Sequence, residues 1–208
     1  MKSQIKNILF DLGGVLLDID YLKTVEAFRK LGLENPEKAF TKEIQAELFQ
    51  KFERGKMNED EFLGILNEHM PKANASEITN AWNALLGELP EERYHFVRSL
   101  KDKYMLGVLS NTNSIHEKEF VKIIDHAVGW RNFENLFQGL GYSHALGERK
   151  PNPEVFSMCL DNLGFKPNET LFIDDTPEHV EGAKKAGLRA IHLNSGTIEN
   201  LLKKELNL

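Results

Sequence analysis

The sequence predicts an α/β fold in which helices cover both faces of a parallel sheet and a helical segment is inserted after the first strand. Two observations predict it. Short apolar runs that end in polar residues or glycine alternate with helical patterns, as they do when helices connect the strands of a parallel sheet. In addition, the long stretch between the first two runs, from about residue 20 to residue 90, contains no strand pattern.

Four runs are predicted to be strands: IKNILFD, MLGVLSN, TLFIDD and LRAIHL. They are rich in Ile, Leu and Val without polar alternation, which is typical of strands that are buried on both faces. The run NLFQGLGYS is a candidate for a fifth strand. With 208 residues, the chain is long enough for one buried core and a small insert.

Helices are predicted throughout the stretch between the first and second strands. Apolar residues at helical spacing in YLKTVEAFRKLG predict the first helix, which Gly32 ends. A second helix is predicted from Glu43 through Phe52. Asn58 and Glu61 have the spacing of a capping box that begins a third helix, and Pro71 ends it.

A fourth helix, EITNAWNALL, is predicted to be capped by Ser76 and ended by Gly87. A single crossover between parallel strands needs only one helix, so four in succession predict a cap inserted over the sheet. The predicted division is a core of residues 1–17 and 91–208, which carries the catalytic site, and a helical cap of residues 18–90.

Composition excludes several classes of protein. A net charge of −6 disfavours a nucleic-acid partner, which requires a basic surface. The single cysteine, Cys159, excludes an internal disulfide and fits a reducing compartment. No apolar run has transmembrane length, and Asp11 interrupts the N-terminal apolar stretch where a signal peptide would continue. We therefore expect a cytoplasmic protein, a monomer or weak homo-oligomer, with neither a nucleic-acid nor a membrane partner.

Polar residues gather where the predicted strands end, which is where open parallel sheets bind ligands. Those residues are Asp11, Ser110, Asn111, Asp174 and Asp175, with Lys150 just ahead of a helix in GERKPNPEVF. Each alone also fits a structural role as a turn residue, a helix cap or a solvated charge. Together they combine a carboxylate nucleophile, two donors, a cation and an acidic pair.

Three converging carboxylates would repel one another, so the set implies a bound metal ion. Hard oxygen ligands and room for a substrate phosphate suggest Mg²⁺. The cation and the donors would neutralise the oxygens of a phosphoryl group. The sequence therefore predicts a phosphoryl-transfer site.

These residues, in this order, resemble the haloacid dehalogenase superfamily of hydrolases. FDLGGVLLD is similar to its first motif, VLSNT to its second, the lysine of GERKP to its third and FIDDTPEHVEGAKKAG to its fourth. The resemblance covers nearly the whole chain and implies a three-layer, Rossmann-like sheet with a helical cap over the active site. DLGGVLLDID, FERGKMNEDEF, SNTNSIH and GERKPNPEVF further resemble bacterial sugar-phosphate phosphatases that act on glucose 1-phosphate.

The resemblance implies a role for each acidic residue. Asp11 would attack phosphorus and form an aspartyl-phosphate that water then hydrolyses. Mg²⁺ would be bound by the Asp11 side chain, the Gly13 carbonyl and Asp175. Asp174 would act through a water molecule or hold the other ligands in place.

The resemblance also implies contacts with the substrate. Ser110 and Asn111 would donate to phosphate oxygens, and Lys150 would bridge the phosphate and Asp11. Glu53 and Arg54 in the cap have two open interpretations, as substrate contacts or as charges at a helix end. The histidines show no metal-ligand spacing.

Two further predictions concern the cap and the strand ends. His116 and His144 follow predicted strands and are expected at the surface. Cap aromatics such as Phe52, Phe62 and Trp82 are expected to pack the helices together rather than to form an interface or a sugar platform.

Gly13 departs from the pattern of the superfamily, whose phosphatases mostly carry a second Asp there as a general acid. Three interpretations remain open: a phosphatase whose leaving group needs little protonation or is protonated from elsewhere, a 2-haloacid dehalogenase, and a catalytically silent protein that binds phosphorylated ligands. Dehalogenases of the superfamily work without metal and lack an acidic pair such as Asp174 and Asp175. The complete set of site residues favours the phosphatase, with a small phosphorylated metabolite as substrate, a sugar phosphate such as glucose 1-phosphate.

Overall fold

A computed structural model of the protein describes residues 4–36 and 43–206. Its centre is a parallel sheet of five strands in the order β3-β2-β1-β4-β5. The strands are β1 (Asn7–Phe10), β2 (Met105–Ser110), β3 (Leu140–Tyr142), β4 (Thr170–Asp174) and β5 (Arg189–His192). The predicted α/β fold with a parallel sheet is confirmed, and the run NLFQGLGYS supplies the edge strand β3.

The described part of the stretch from residue 20 to residue 90 contains the predicted helices and no strand. These helices are α1 (Tyr21–Lys30), α2 (Glu43–Glu53), α3 (Glu59–His69) and α4 (Ala75–Asn83). Their apolar faces pack into a cluster of their own, which includes Phe28, Phe52, Phe62, Ile78 and Trp82. Phe52, Phe62 and Trp82 therefore pack the helices of this segment together, as predicted.

Helix capping was predicted correctly for one of these helices and wrongly for another. Asn58 and Glu61 form the predicted capping box at the start of α3. Helix α4 begins after Asn74 instead of Ser76, because Asn74 accepts from the Glu77 backbone and the Glu77 side chain accepts from the Asn74 backbone. This reciprocal pair satisfies two backbone donors at the helix start, which Ser76 inside the first turn does not do.

The remaining helices cover the sheet. They are α5 (Glu91–Leu100), α6 (Ser114–Val128), α7 (Trp130–Glu134), α8 (Ser143–Leu146), α9 (Pro153–Leu163), α10 (Pro177–Lys185) and α11 (Ile198–Leu206). Successive residues of β1 point to opposite faces, so Ile8 and Phe10 join one core cluster and Leu9 joins the other. Helices α5, α6 and α11 pack on the first face, whereas α9 and α10 pack on the second.

The two connections of the helical segment lie side by side. The Asp18 backbone donates to the Glu88 carbonyl at 2.9 Å, and the Gly87 backbone donates to the Asp18 carbonyl at 2.8 Å. The Asp20 backbone extends this antiparallel ladder by donating to Leu85 at 2.9 Å. The chain therefore leaves the sheet and returns to it at one point, which we call the hinge (residues 18–20 and 85–88). Among the helices in the described ranges, none combines the length and apolarity needed to cross a lipid bilayer.

Candidate active site

Strand register brings two predicted site residues together. Phe10 of β1 pairs with Ile173 of β4, and the backbone of Asp11 donates to the Ile173 carbonyl at 2.9 Å. Asp11 therefore lies beside Asp174 at the carboxyl edge of the sheet. The chain passes from β1 to β2 and β3 on one side and then to β4 on the other, so this is the topological switch point at which such sheets bind ligands.

Lys150 links the two carboxylates. Its side chain is fully buried, and its Nζ lies 2.8 Å from Oδ1 of Asp11 and 2.7 Å from Oδ2 of Asp174. Nζ also lies 5.4 Å from the ring centroid of Phe172, within the range of a cation–π contact. Lys150 thus bridges Asp11 and Asp174, while the predicted contact with phosphate stays a prediction.

The side chain of Asn111 holds the Lys150 backbone. Its Oδ1 accepts from the Lys150 backbone nitrogen at 2.9 Å, and its Nδ2 donates to the Lys150 carbonyl at 3.0 Å. The Nδ2 amide group of Asn111 carries a second hydrogen, so its predicted donation to phosphate stays a prediction. The contact with Lys150 itself was not predicted from the sequence. The physical reason is a long-range contact between the β2–α6 loop and the Lys150 loop, which no local pattern contains.

Burial and charge shift the pKa values in this network in different directions. Burial raises the pKa of Asp11 well above its usual value, although the neighbouring Lys150 charge opposes the shift. Burial also acts to raise the pKa of Asp174, but the Lys150 charge and hydrogen bonding from His179 hold it well below its usual range. The charge of the Lys150 ammonium group therefore does not fully compensate the charges of the two buried carboxylates. A further positive charge at this position would be stabilised.

His179 belongs to the site, although the sequence analysis assigned no histidine to it. Its Nδ1 lies 3.0 Å from Oδ1 of Asp174, which also accepts from the Thr176 backbone at 2.8 Å. Both oxygens of Asp174 therefore have protein partners. Asp174 is therefore positioned to hold Lys150, Thr176 and His179 in place. The signal in the sequence was the spacing of His179 in DDTPEH, in the first turn of α10.

The oxygen atoms around Asp11 are suitable ligands for a magnesium ion. Gly14 has φ of +76°, and a Cβ built there would lie only 2.0 Å from Oδ2 of Asp175, so that carboxylate lies directly against the Gly13–Gly14 loop. Lys150 and the Leu12 backbone both contact Oδ1 of Asp11, and within the described ranges nothing hydrogen-bonds to its Oδ2. Carboxylate and carbonyl oxygens are the ligands that Mg²⁺ prefers.

A second set of potential ligand atoms, from Asp11, Asp174 and His179, lies within 4.8 Å of one another. The Lys150 ammonium group already contacts both of its carboxylates. Asp174 is in addition bonded to His179, so Asp11, Asp175 and the Gly13 carbonyl stay the predicted ligands.

A cavity of about 490 Å³ lies between this edge of the sheet and the inserted helices. Its floor includes Asp11, Ser110, Asn111, Asp175, Thr176 and His179, and its roof includes Tyr21, Thr24, Phe49, Gln50, Glu53 and Trp82. Ser110 is buried on this floor beside Asp11, in keeping with its predicted position. The site is thus a covered chamber with a charged floor and a mixed roof.

Ile19 occupies the space in which a side chain at position 13 would lie. A Cβ on Gly13 would be 3.0 Å from Cγ1 and 3.2 Å from Cδ1 of Ile19. Gly13 has no positive φ, so its backbone does not require glycine. Ile19 lines the cavity and places hydrocarbon where a side chain at position 13 would lie.

The structure places Arg54 outside the cavity lining, and its predicted substrate contact stays a prediction. The Nε of Arg54 lies 3.3 Å from Oε2 of Glu148. Glu53 does line the cavity and pairs with Arg149 at 2.7 Å. Because the two residues project from successive positions at the end of α2, only one of them faces inward. Arg149, which the sequence analysis missed, lines the cavity with Glu53.

The predicted surface position of two histidines is wrong. His116 is buried and lines the cavity. The side chain of His144 is largely buried, and its Nε2 lies 2.9 Å from Oε2 of Glu117. Both residues are covered by segments that are distant in sequence.

Comparison with known proteins assigns the chain to a family. A profile of haloacid dehalogenase-like hydrolases matches residues 5–187. The chain belongs to this family. It is 32% identical over 193 residues to a D-ribitol-5-phosphate phosphatase of Bacteroides thetaiotaomicron. The match covers 92% of this chain and 93% of the relative. It is also 29% identical over 196 residues to a sesquiterpene phosphatase of Aspergillus oryzae, with 93% and 92% covered.

A solved haloacid dehalogenase family enzyme from Bacteroides thetaiotaomicron, in complex with magnesium and inorganic phosphate, has the same fold. The two structures match with a TM-score of 0.81 and 34% identity, over 90% of this chain and 93% of that one. The predicted superfamily and the predicted class of phosphoric monoester hydrolases are confirmed. The predicted cofactor, Mg²⁺, is confirmed as the ion of that related enzyme.

Proposed function

We propose that this haloacid dehalogenase-like hydrolase is a magnesium-dependent phosphatase that forms an aspartyl-phosphate on Asp11. The arrangement of the Asp11 carboxylate carries the proposal. Lys150 fixes its Oδ1 at 2.8 Å, whereas its Oδ2 has no hydrogen-bond partner in the described part of the chain and lies on the floor of a covered cavity. A fixed carboxylate with one uncommitted oxygen is suited to nucleophilic attack.

In the first step an oxygen of Asp11 attacks phosphorus, the new P–O bond forms, and the bond to the leaving alcohol breaks. Lys150 and Ser110 stabilise the negative charge on the phosphoryl oxygens during this step. In the second step water attacks phosphorus and releases inorganic phosphate and free Asp11. Asp11, Asp175 and the Gly13 carbonyl would hold Mg²⁺, which when bound adds neutralising charge. The covering helices keep other water away from the phosphoryl group.

The leaving oxygen has no carboxylic acid at position 13 to protonate it. General acid catalysis contributes about 10² to 10⁴ in rate, so its absence matters most for poor leaving groups. Ile19 lies against Gly13 where that acid would be. The rate should therefore depend steeply on the pKa of the leaving alcohol.

We further propose a sugar or polyol monophosphate as substrate. The resemblance of sequence motifs supports glucose 1-phosphate, whose anomeric oxygen is a better leaving group than an ordinary alcohol. The similarity to a D-ribitol-5-phosphate phosphatase supports a polyol phosphate. The polar side chains of Gln50, Glu53 and Arg149 in the cavity lining support either of these hydroxylated substrates.

The test is an assay of phosphate release from a panel of esters that includes both compounds, with Mg²⁺ and with EDTA. We expect Mg²⁺-dependent turnover that is lost in Asp11→Asn. Turnover no greater than that of Asp11→Asn would contradict the proposal. Calorimetric binding of the esters without turnover would then favour the silent phospho-ligand-binding protein. Halide release from a 2-haloacid without metal would favour the dehalogenase.

We also propose that residues 18–90 act as the cap that selects the substrate, since helices α1, α2 and α4 contribute to the cavity roof. The cytoplasmic location, the monomeric or weakly oligomeric state and the lack of nucleic-acid or membrane partners stay predictions from the sequence.

A further inference from the structure

The mechanism above gives no task to His116, a buried residue in the cavity wall. It lies in the first turn of α6, the helix that follows β2, whose last residue is Ser110. The residue is only 8% exposed and lines the same cavity as Asp11. It is therefore a polar group in position to contact whatever portion of the substrate extends from the phosphate.

The ring of His116 is held from two directions. Its Nδ1 lies 2.8 Å from Oδ1 of Asn83, and its ring stacks on Trp82 with centroids 4.9 Å apart and planes at 9°. Asn83 and Trp82 belong to α4, which covers the core at this point. Because both contacts fix the ring plane, the direction of Nε2 is set before a ligand arrives.

The contacts also define which nitrogen carries hydrogen. The amide oxygen of Asn83 can only accept, so Nδ1 of His116 donates to it. Burial lowers the pKa of His116 to about 3, so the ring is neutral at physiological pH. Nε2 therefore carries a lone pair and no hydrogen.

Nε2 is a hydrogen-bond acceptor that the protein leaves available. None of the described residues hydrogen-bonds to Nε2. Nε2 is also not fully enclosed by the protein, so a ligand can reach it. A neutral acceptor cannot give a proton to the leaving oxygen, which separates this role from that of the missing acid. Nε2 can therefore only accept a hydrogen bond, and in the alcohol portion of the substrate the hydrogen-bond donors are the hydroxyl groups.

We propose that Nε2 of His116 accepts a hydrogen bond from a hydroxyl group in the alcohol portion of the substrate. The site thereby selects phosphate esters of polyhydroxy alcohols over those of hydrocarbon alcohols. The inference rests on the proposed phosphatase function and makes its substrate class specific. The apolar lining residues Leu85, Leu86 and Phe120 then face the carbon skeleton of the substrate. A site built around such an acceptor rejects an analogue that lacks the donor, because the acceptor would stay unpaired.

The test compares D-ribitol 5-phosphate with pentyl phosphate, which has the same chain length without free hydroxyls. Wild-type protein should prefer the polyol ester in kcat/KM by about 100-fold or more. In His116→Phe, which keeps an aromatic ring against Trp82, the loss for the polyol ester should exceed the loss for pentyl phosphate by at least about tenfold. His116→Gln, which restores an acceptor, should recover part of the preference.

Equal losses for the two esters in His116→Phe would overturn the inference, because they would indicate a structural role only. Wild-type protein without a preference for the polyol ester would overturn it as well, even if the variant did not fold.

Calorimetry separates this inference from the proposed function. In an Asp11→Asn background, D-ribitol 5-phosphate should bind more tightly than pentyl phosphate, and adding His116→Phe should remove the difference. This result would support the inference even if no ester were hydrolysed. Equal binding of the two esters in the Asp11→Asn protein would overturn it.

Discussion

The floor and the roof of the cavity are held by different kinds of interaction. On the floor, Lys150 pairs with Asp11 and Asp174 in a network whose side chains are almost completely excluded from solvent. At their edge the inserted helices meet the core through ion pairs that water reaches, such as Lys118 with Glu59 at 2.6 Å, where the lysine side chain is 65% exposed. Closer to the cavity the contact is buried, where Trp82 stacks on His116. Strand register fixes the positions of the charged groups on the floor, whereas side-chain contacts position the inserted helices. In the proposed function the floor carries the catalytic groups and the inserted helices cover them.

Loss of the central cation on the floor should have the largest effect. We expect Lys150→Met to lower kcat by at least about 10³-fold, because Lys150 stabilises charge at the nucleophile and the phosphoryl group. The free energy of unfolding should fall by about 3–5 kcal/mol, because buried carboxylates lose their partner. Steady-state kinetics and urea unfolding measure the two effects.

The matched variant is Lys118→Met, which removes a lysine from the exposed pair with Glu59. It should lower the free energy of unfolding by no more than about 1 kcal/mol. Equal losses of stability in the two variants would contradict the distinction between floor and roof.

The next effect concerns the metal side of the floor. In Gly14→Ala the new Cβ would displace Asp175, whose Oδ2 lies 2.0 Å from the position of that atom. We expect the Mg²⁺ concentration for half-maximal activity to rise by about 10- to 100-fold, as when groups that orient metal ligands are lost. Titration of activity with Mg²⁺ measures this change.

Gly164→Ala is the control for backbone strain. Gly164 also has a positive φ of +68°, but a Cβ there would meet no atom within 4 Å. It should destabilise the protein modestly without changing the Mg²⁺ dependence. A similar shift in both variants would show that strain, not displacement of Asp175, is responsible.

A smaller effect is expected where the roof closes on the core. A Cβ on Gly55 would lie 2.2 Å from the carbonyl oxygen of His144, so Gly55→Ala should hold α2 away from the core. We expect KM for a phosphate ester to rise by up to about tenfold, with a smaller change in kcat. Gly32→Ala changes another positive-φ glycine of the helical segment, where a Cβ would meet nothing within 4 Å. KM should not rise in Gly32→Ala, and a rise in both variants would contradict a specific closing contact.

The sequence predicts the floor better than the roof for a physical reason. Parallel strands place their carboxyl ends at one edge of the sheet, so the positions of Asp11 and Asp174 at strand ends are enough to predict that they meet. Lys150 was recognised by resemblance to a motif, although its bridge between the two carboxylates was not foreseen. Motif spacing therefore identified the residues but not every contact among them.

The contacts of the roof depend on how the inserted helices lie on the core. The burial of His116 follows from its stacking on Trp82, which is 34 positions away in the sequence, and no local periodicity reports such a contact. The choice between Arg54 and Glu53 likewise depends on the rotation of α2. The N-cap of α4 was different, because the Asn-x-x-Glu spacing of Asn74 and Glu77 was visible in the sequence beside the competing Ser76.

The hinge has a consequence for how the family can diversify. Its two segments are joined by backbone hydrogen bonds, from Asp18 to Glu88 and from Gly87 to Asp18. The first and last residues of the helical segment therefore lie next to each other. Because the two ends of the insert lie together, an insert of a different size would not strain the sheet. Exchange of the whole segment for that of a relative should therefore change the residues of the cavity roof while leaving Asp11 and Lys150 of the recipient in place.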